Sequence, residues 1–379
     1  MLTEFFAIIS LMKHNAGSIQ SEHLRKVLEF SAIINSSLEI EKVREQTIQA
    51  SIELVNCEAG SLLLYDPERY ELYFDVALGE KADKIKTIRL KPGEGIAGWV
   101  AQNRQVLIVN DVQNDPRFFK GADKKSGFIT KTMICVPITI KDRLLGVLQT
   151  INKKNGLFSE YDAELLKALA NQVAVAIENA KLYNELKETF YEIVFALADT
   201  IEKRDPYTGG HTKRVMEYSI AIGREMGLNN DELEKLKLAA ILHDIGKIGI
   251  RDAVLLKDGN LTDEEFTIIK THAIYGAEIL QHVKKLDVIL PGVKHHHERF
   301  DGSGYPEKCK GEKIPLIARI IAVADTFDAM TTDRPYRKGL PFESALCEIK
   351  NKAGTQFDPY VIECFAKAFV KGEIVKNGN

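Results

Sequence analysis

The chain has 379 residues, a formal net charge of −3 and 28% charged residues, and at roughly 150 residues per domain this length predicts two or three domains. Its lysines and arginines are dispersed rather than grouped, so the charge pattern excludes a basic nucleic-acid-binding surface. The longest apolar run, FFAIISLM, is far shorter than the roughly 18 residues that cross a bilayer, so no membrane span is predicted.

The N-terminal part of the chain changes from helical to strand-like spacing. Residues 1–21 are assigned to an N-terminal helical extension. From Leu24 to Cys57, apolar residues recur every three or four positions, which predicts two helices. The alternating pattern of ELYFDVAL, preceded by SLLLY and the turn DPER, then predicts a β-hairpin.

Two further strand candidates, TMICVPITI and LLGVLQTIN, flank the short connection KDR. Between the two strand pairs, the breakers in LKPGEG precede a short helix around Trp99. We therefore predict an antiparallel sheet with helices on one side, within a domain that covers residues 22–158.

The segments PGEGIAGWVAQNRQVLIVNDVQNDPRF, VPI and GVLQTINKKNGLFSEYDAELL resemble a GAF domain over about residues 22 to 180. This resemblance implies an α+β sensory domain with a ligand pocket between the sheet and its inserted loops. GAF domains bind many small molecules or none, so the ligand stays open. A purely structural dimerisation module is the alternative.

A long helical pattern follows, and we assign residues 159–204 to a connecting signalling helix. SEYD supplies a capping box from Ser159 to Asp162 at its start. Apolar residues then keep steps of three and four at Leu169, Val173, Ala176, Ala180, Tyr183, Leu186, Phe190, Ile193, Leu197 and Ile201. This stripe predicts a parallel homodimer in which a partner helix covers it. The alternative is that the stripe packs against its own domain.

Seven of the nine histidines follow residue 205. His211 comes after the helix breaker YTGG, so we expect it in the first turn of a helix. His243 and Asp244 follow the amphipathic run DELEKLKLAAIL, at a helix end. Histidines gathered at helix ends in this way suggest a shared site.

Two further candidates lie in helical patterns of their own. His272 is expected inside one helix over TDEEFTIIKTHAIYGAEIL, which begins at a capping box from Thr262 to Glu265. Asp325 belongs to PLIARIIAVADTFDAM, a run so apolar that its carboxylate needs a charged or metal partner to offset desolvation.

Three adjacent histidines, His295 to His297, precede the loop RFDGSGYP. Neighbouring residues on a helix point about 100° apart, so all three cannot face one small centre. Any single histidine is more often a satisfied core residue, but five histidines and two aspartates on core-facing helices favour a metal site. Its ligands would be nitrogen and oxygen, with no thiolate.

HDIGKIGI, HHERFDGSGYP, ARIIAVADTFDAMTTDRPYR and GTQFDP occur in this order and together resemble the HD-GYP subfamily of HD phosphohydrolases. The resemblance covers about residues 187–375 and implies an all-α domain. It also implies two divalent metal ions, iron or manganese, and phosphodiesterase activity on cyclic di-GMP that yields pGpG, with GMP left open as a further product. Diguanylate cyclase (GGDEF) proteins are the partners implied for the GYP loop.

Carried over by motif, the resemblance gives one metal to His211, His243, Asp244 and Asp325, and the other to His272, His296 and His297. Asp244 would bridge the two metals and take part in catalysis. His295 is left over, with a surface or supporting place.

Substrate contacts are expected from positively charged and aromatic side chains of the same motifs. Lys247 follows Asp244 by three residues and would contact a phosphoryl oxygen as a catalytic and substrate-binding group. Arg299, Tyr305, Arg334 and Arg337 are further substrate-binding candidates, since guanidinium groups match phosphate oxygens and guanine edges.

The chain departs from the pattern of some relatives, which bind a third metal through a glutamate four residues before the first histidine. Tyr207 occupies that position here, and a phenol with a pKa of about 10 is a poor metal ligand. We therefore predict a binuclear centre. Asp205 is a nearby carboxylate that keeps a trinuclear centre open.

The five cysteines are scattered and never form a CxxC pair, so we expect free thiols in a reducing, cytoplasmic compartment. Two alternative functions remain open for the chain as a whole. One is an HD hydrolase of another nucleotide, and the other is a catalytically silent protein that binds partners through the GYP loop.

Overall fold

The computed structural model describes residues 19–78, 87–204, 209–257, 259–333 and 338–374, with side chains from residue 25 onward. The chain divides into two compact units, Met1–Lys187 and Glu188–Asn379. Among the described residues, no helix combines the length and the apolar character that a membrane crossing requires.

The first unit is built on an antiparallel sheet. Its strands are β1 (Cys57–Asp66), β2 (Glu71–Leu78), β3 (Arg89–Leu90), β4 (Leu107–Val109), β5 (Met133–Ile140) and β6 (Arg143–Lys153). They lie in the order β3-β2-β1-β6-β5-β4, and every neighbouring pair is antiparallel. The predicted hairpins thus form the middle of the sheet.

Helices of this unit cover both faces of the sheet. The helices are α1 (Ile19–Asn35), α2 (Ile40–Val55), α3 (Gly95–Asn103), α4 (Gly121–Ser126) and the first part of α5 (Glu160–Glu202). Leu62 and Leu148 pack in a core with α2 and α5, whereas Leu63 and Val147 face the opposite core with α3. Successive strand residues point to opposite faces, so one strand supplies both cores. The expectation of helices on one side only is therefore wrong, because α3 fills the second face.

Helix α5 starts at the predicted capping box, in which the amide of Asp162 donates to Ser159 Oγ and the amide of Ser159 donates to Asp162 Oδ2. The first positions of the predicted seam, Leu169, Val173, Ala176 and Ala180, are at most 2% exposed and belong to the first unit's own interior.

Five later seam positions, Tyr183, Leu186, Phe190, Ile193 and Leu197, are 37–68% exposed, and Ile201 is buried. The alternative of packing on its own domain thus holds for the start of the stripe, because those side chains complete a core. The homodimer stays a prediction that rests on the exposed positions.

The second unit is helical. After the last turns of α5 it contains α6 (His211–Glu225), α7 (Asn230–Leu242), α8 (Asp252–Leu255), α9 (Asp263–Lys270), α10 (His272–Leu280), α11 (Leu290–His295), α12 (Leu316–Thr331), α13 (Phe342–Asn351) and α14 (Pro359–Val370). Its core centres on Phe327 and Phe365, both fully buried, with the apolar faces of α6, α7 and α12 around them. The predicted α+β domain followed by an all-α domain is confirmed.

Candidate metal centre

Three helix termini place histidines at one point of the second unit. His211 is the first residue of α6, His243 follows the last residue of α7, and His272 begins α10. The predicted single helix around His272 is wrong, because α9 ends at Lys270 and a new helix starts two residues later. The predicted capping box at Thr262 and Glu265 is confirmed at the start of α9.

The seven predicted ligands form two neighbouring groups. Within each group, the ligand atoms lie within 4.8 Å of one another. Cluster one contains His211, His243 and Asp325, and cluster two contains Asp244, His272, His296 and His297. The structure therefore brings all seven residues together and separates six of them as the motif assignment does. Asp244 differs, because it is grouped with cluster two, whereas the assignment placed it with cluster one as a bridge to the second metal.

The two carboxylate oxygens of Asp244 face different clusters. Asp244 Oδ2 lies 3.3 Å from His243 Nε2 and 3.9 Å from His211 Nε2, whereas Oδ1 lies 3.4 Å from His272 Nε2. In cluster one, Asp325 Oδ1 is 3.5 Å from His211 Nε2. One carboxylate can therefore contact a cation on either side, as a bridging ligand must.

Backbone carbonyls fix the orientation of three of these imidazoles in the same way. In each case Nδ1–H donates to the carbonyl three residues earlier, at 2.6–2.8 Å: His243 to Ala240, His272 to Ile269, and His296 to Val293. Because Nδ1 carries the proton, Nε2 presents its lone pair to the centre, which is the form that binds a metal.

The fourth imidazole, His211, is oriented by Asp328, a residue that the sequence analysis missed. Asp328 Oδ2 accepts from His211 Nδ1 at 2.7 Å, and Arg214 donates to both oxygens of the same carboxylate. Burial opposes ionisation of Asp328, but its bonds to His211 and Arg214 hold its pKa below the usual range. The one available signal was the spacing of Asp325 and Asp328, which puts both on one helix face.

Glu202 was also missed. Its carboxylate accepts from the backbone amides of His211 at 2.8 Å and Thr212 at 3.2 Å, so it caps α6 from the end of the preceding helix. Amides in the first turn of a helix have no partner within the helix. Glu202 therefore holds the terminus that carries His211.

The residues fit divalent metal ions. His272 Nε2 and His296 Nε2 lie 3.3 Å apart, and with both Nδ1 atoms donating to carbonyls, two lone pairs face each other. Burial lowers the pKa of both rings, that of His296 far below its ordinary value, so a proton does not readily separate them. A cation shared by the two nitrogens relieves this repulsion.

The remaining charges also demand a cation. Burial alone would lower the pKa of His243, but Asp244 and Asp325 raise it to about 9, so a positive charge is stabilised in cluster one. Burial and the neighbouring His272 lower the pKa of His297 to about 3, which keeps this ring neutral. Imidazole and carboxylate ligands without a thiolate suit iron, manganese or zinc.

Lys247 lies on the single turn Ile245–Gly249, and its Nζ is 2.7 Å from Asp244 Oδ2. The pKa of Asp244 is held well below its usual value, because Lys247 and His243 outweigh the effect of burial. A small cleft is lined by Glu202, His211, Asp244 and Lys247, among others. The ammonium group of Lys247 therefore lies beside the Asp244 carboxylate and borders this cleft.

Glycine at position 246 permits this turn to approach α10. A Cβ atom there would lie 1.9 Å from the carbonyl oxygen of His272 and 2.4 Å from the amide nitrogen of Gly276. Any side chain would therefore push apart the segments that carry Asp244 and His272.

The GYP loop borders cluster two. The ring of Tyr305 stacks on His297 with centroids 4.9 Å apart, and Lys270 Nζ lies 5.7 Å from the centroid of the Tyr305 ring. Arg299 donates from Nε to Ser303 Oγ within the loop. Tyr305 thus supports a metal-ligand candidate, while substrate contacts by Tyr305 and Arg299 stay predictions.

The other predicted residues are placed less fully. Arg334, Arg337, Tyr207 and Asp205 lie outside the described residues. His295 belongs to neither cluster, in agreement with its assignment as the leftover histidine, but its side chain is only 11% exposed. It therefore does not lie on the surface.

Comparison with known proteins locates two domain families. Residues 37–178 match the family model of the GAF domain, and residues 196–361 match that of the HD domain. Neither model extends over the whole chain, so each match concerns its own domain.

Curated relatives match about half of the chain. A cyclic di-GMP phosphodiesterase of Thermotoga maritima is 40% identical over 218 residues, which cover 56% of this chain and 59% of the relative. A 3'3'-cGAMP-specific phosphodiesterase 2 of Vibrio cholerae is 37% identical over 207 residues, 54% of this chain and 40% of the relative. A cyclic di-GMP phosphodiesterase response regulator of Xanthomonas campestris is 38% identical over 200 residues, which cover 52% of this chain and 53% of the relative. The chain thus spans about half the length of these relatives.

Proposed function

Because the chain joins a GAF domain to an HD domain, we propose that it is a metal-dependent phosphodiesterase that hydrolyses cyclic di-GMP under the control of its GAF domain. The observation that carries this proposal is the position of Asp244, whose two oxygens face separate histidine clusters. A carboxylate so placed would serve two ions at once, and paired metal ions are common in enzymes that cleave phosphate esters.

When bound, the two ions supply an activated water and offset the negative charge that develops on the phosphoryl oxygens. The protein's own residues prepare the site for this. Asp244 stays ionised because Lys247 and His243 lie beside it, and the backbone carbonyls hold Nε2 of three histidines toward the centre. Lys247 also offers its ammonium group to a phosphoryl oxygen, so the substrate competes with Asp244 for it.

The choice of cyclic di-GMP rests on the GYP motif and on relatives whose names carry this substrate. We propose pGpG as the product, with GMP as a later product if the second phosphodiester bond is also cut. Arg299, Tyr305, Arg334 and Arg337 are proposed to contact the phosphates or guanines, since both offer acceptors that match guanidinium groups.

The metals are proposed to be iron or manganese, two per chain. The donor set of His and Asp, without cysteine, is compatible with both. The proposal also includes regulation by a GAF ligand and contacts of the GYP loop with diguanylate cyclases (GGDEF proteins). It further includes a homodimer along the exposed part of α5.

A cyclic GMP-AMP dinucleotide is the second candidate substrate. It is favoured by the 37% identity to a relative named as specific for 3'3'-cGAMP, which is close to the 40% of the cyclic di-GMP relative. The two substrates differ in one base, so the metal centre does not discriminate between them. A catalytically silent protein is disfavoured because all seven ligand candidates are present.

The test begins with full-length protein purified without oxygen, counted for metal and incubated with cyclic di-GMP and 3'3'-cGAMP in parallel. We expect two iron or manganese ions per chain and faster turnover of cyclic di-GMP. His243→Ala and Asp244→Asn should each lower the rate by at least about 100-fold, since each removes a ligand. His282→Ala, at an exposed histidine outside both clusters, is the matched control.

Different results refute different parts of this proposal. Fresh, metal-loaded protein that cleaves neither dinucleotide would refute the enzyme. Preferential cleavage of 3'3'-cGAMP would refute cyclic di-GMP as the substrate. About three iron or manganese ions per chain would refute the binuclear centre.

A further inference from the structure

Behind the GYP loop, a second set of side chains converges outside clusters one and two. A ligand atom each of His295, Glu307 and Cys309 lies within 4.8 Å of the others, and none of the three residues belongs to the two clusters. We call this set the loop cluster. Unlike the two clusters of the centre, it includes a thiol.

The backbone of the loop brings these residues together. The amide of Glu307 donates to Glu298 Oε1 at 2.7 Å, and Lys308 adopts a left-handed conformation with φ of 56°. The chain therefore turns back between Glu307 and Cys309, so both side chains face His295 at the end of α11. Glu307 Oε2 lies 3.9 Å from His295 Nε2.

Buried polar atoms beside the loop cluster lack partners among the described residues. Glu298 is 4% exposed, and its Oε2 accepts no hydrogen bond. His295 Nδ1 has none either, and it lies 3.7 Å from Glu298 Oε1. This is slightly beyond hydrogen-bond distance, so a small rotation of the ring would allow Nδ1–H to donate to Glu298. Metal-bound histidines are commonly held by such a carboxylate on their second nitrogen.

The charges around the loop cluster favour a dication. The Glu307 carboxylate lies near the Cys309 thiol. Burial, Glu298 and Glu307 all raise the pKa of this thiol. Lys294 Nζ contacts Glu307 Oε1 at 2.5 Å. That contact leaves Oε2, on the side of His295, for another cation.

We propose that the loop cluster binds one transition-metal dication of the zinc class through His295 Nε2, Glu307 Oε2 and Cys309 Sγ. Glu298 holds the opposite ring nitrogen of His295. Imidazole, carboxylate and thiolate together suit zinc or cobalt and disfavour magnesium, calcium or manganese, which prefer oxygen. Because Glu307 is 51% exposed, a fourth position is open to water.

The ion would fasten the part of the loop that follows Pro306 to the end of α11. The same loop carries Tyr305, whose ring stacks on His297. The loop cluster is thus a structural site that supports the border of the metal centre. This inference is independent of the substrate and holds whether or not the chain cleaves cyclic di-GMP.

Cobalt provides a readout specific to the thiolate. A cysteine ligand gives bound Co²⁺ an intense near-ultraviolet charge-transfer absorption, which the histidine and aspartate ligands of clusters one and two cannot give. Full-length protein titrated with Co²⁺ without oxygen should show this band. Cys309→Ser should lose it together with one ion per chain, whereas Cys347→Ser, at an exposed cysteine, should keep both.

Glu307→Gln keeps the thiol and changes an exposed side chain, so it should fold normally. We expect it to raise the dissociation constant for the cobalt ion that produces the band by at least about tenfold. Glu312→Gln, an exposed glutamate of the following turn, should not change it. A band that persists in Cys309→Ser, a wild-type protein without the band at excess cobalt, or an unchanged constant in Glu307→Gln would each overturn the proposal.

Discussion

Replacing Asp328 by asparagine tests how His211 is positioned. The asparagine keeps the size of the side chain but removes the charge that His211 Nδ1 and Arg214 contact. A histidine ligand that loses the carboxylate on its second nitrogen commonly binds metal about 10–100-fold more weakly. Because Asp328 contacts cluster one alone, we expect this loss for one of two ions.

The same substitution affects folding. Asp328 is 1% exposed, and its loss leaves Arg214 with an unmatched charge. Breaking such a bond costs about 1–3 kcal/mol. The Arg214 side chain is 22% exposed, so water recovers part of this, and we expect a loss of about 1–2 kcal/mol in the metal-free protein.

The assay is a metal titration against a chelator, with urea unfolding of the metal-free protein in parallel. Asp287→Asn, at an exposed aspartate of the same unit, is the control. An equal loss of affinity for both ions, or no loss of affinity for either ion, would refute the idea that Asp328 acts through His211. Unchanged unfolding would refute the role of the contact with Arg214.

The remaining predictions concern the turn, the histidine run and the GYP loop. Gly246→Ala should lower the free energy of unfolding by about 1–3 kcal/mol, the usual cost of overpacking, because the new Cβ would clash with the carbonyl of His272. A urea unfolding curve that matches wild type would contradict this close approach. His296→Ala should lose an ion of cluster two, whereas His295→Ala should keep both ions of the centre, as a metal count in iron or manganese would test; loss of a centre ion from His295→Ala would be the contrary result. Tyr305→Phe should retain the cluster-two affinity, since the ring makes the contact with His297, and Tyr305→Leu should weaken it; an equal loss in both would assign the role to the hydroxyl. Finally, the folded-state pKa of Asp328 is lower than its ordinary value. The contribution of Asp328 to stability is therefore complete above the unfolded pKa of about 3.9 and disappears as the pH falls through the folded value. Metal-free Asp328→Asn should show a smaller decline of the free energy of unfolding below about pH 4 than wild type.

Local patterns in the sequence predicted the elements well where one segment decides the outcome. The hairpins around DPER and KDR, the capping boxes at Ser159 and Thr262, and the placement of His211 at a helix start all depend on neighbouring residues. The division of the ligand candidates between two clusters came from the family motif instead, since spacing alone does not bring distant helices together.

Features that depend on distant contacts were missed. Asp328 meets His211 across 117 positions, and Glu202 caps α6 across a connection whose path the sequence did not indicate. The stripe on α5 was assigned to a partner because its period fits both a coiled coil and a domain core. Its first positions fill the core in the structure, because they pack against the sheet.

The bond from Nδ1–H to the carbonyl three residues earlier joins metal supply to the thermodynamics of folding. His243, His272 and His296 each present Nε2 only while the last turn before them is formed. Ligand binding to the folded form alone adds about 2.7 kcal/mol of stability when the free ligand is at a hundred times its dissociation constant. If the centre binds its ions as proposed, metal binding would therefore stabilise these turns, and removing the metal would lower the free energy of unfolding of the helical unit.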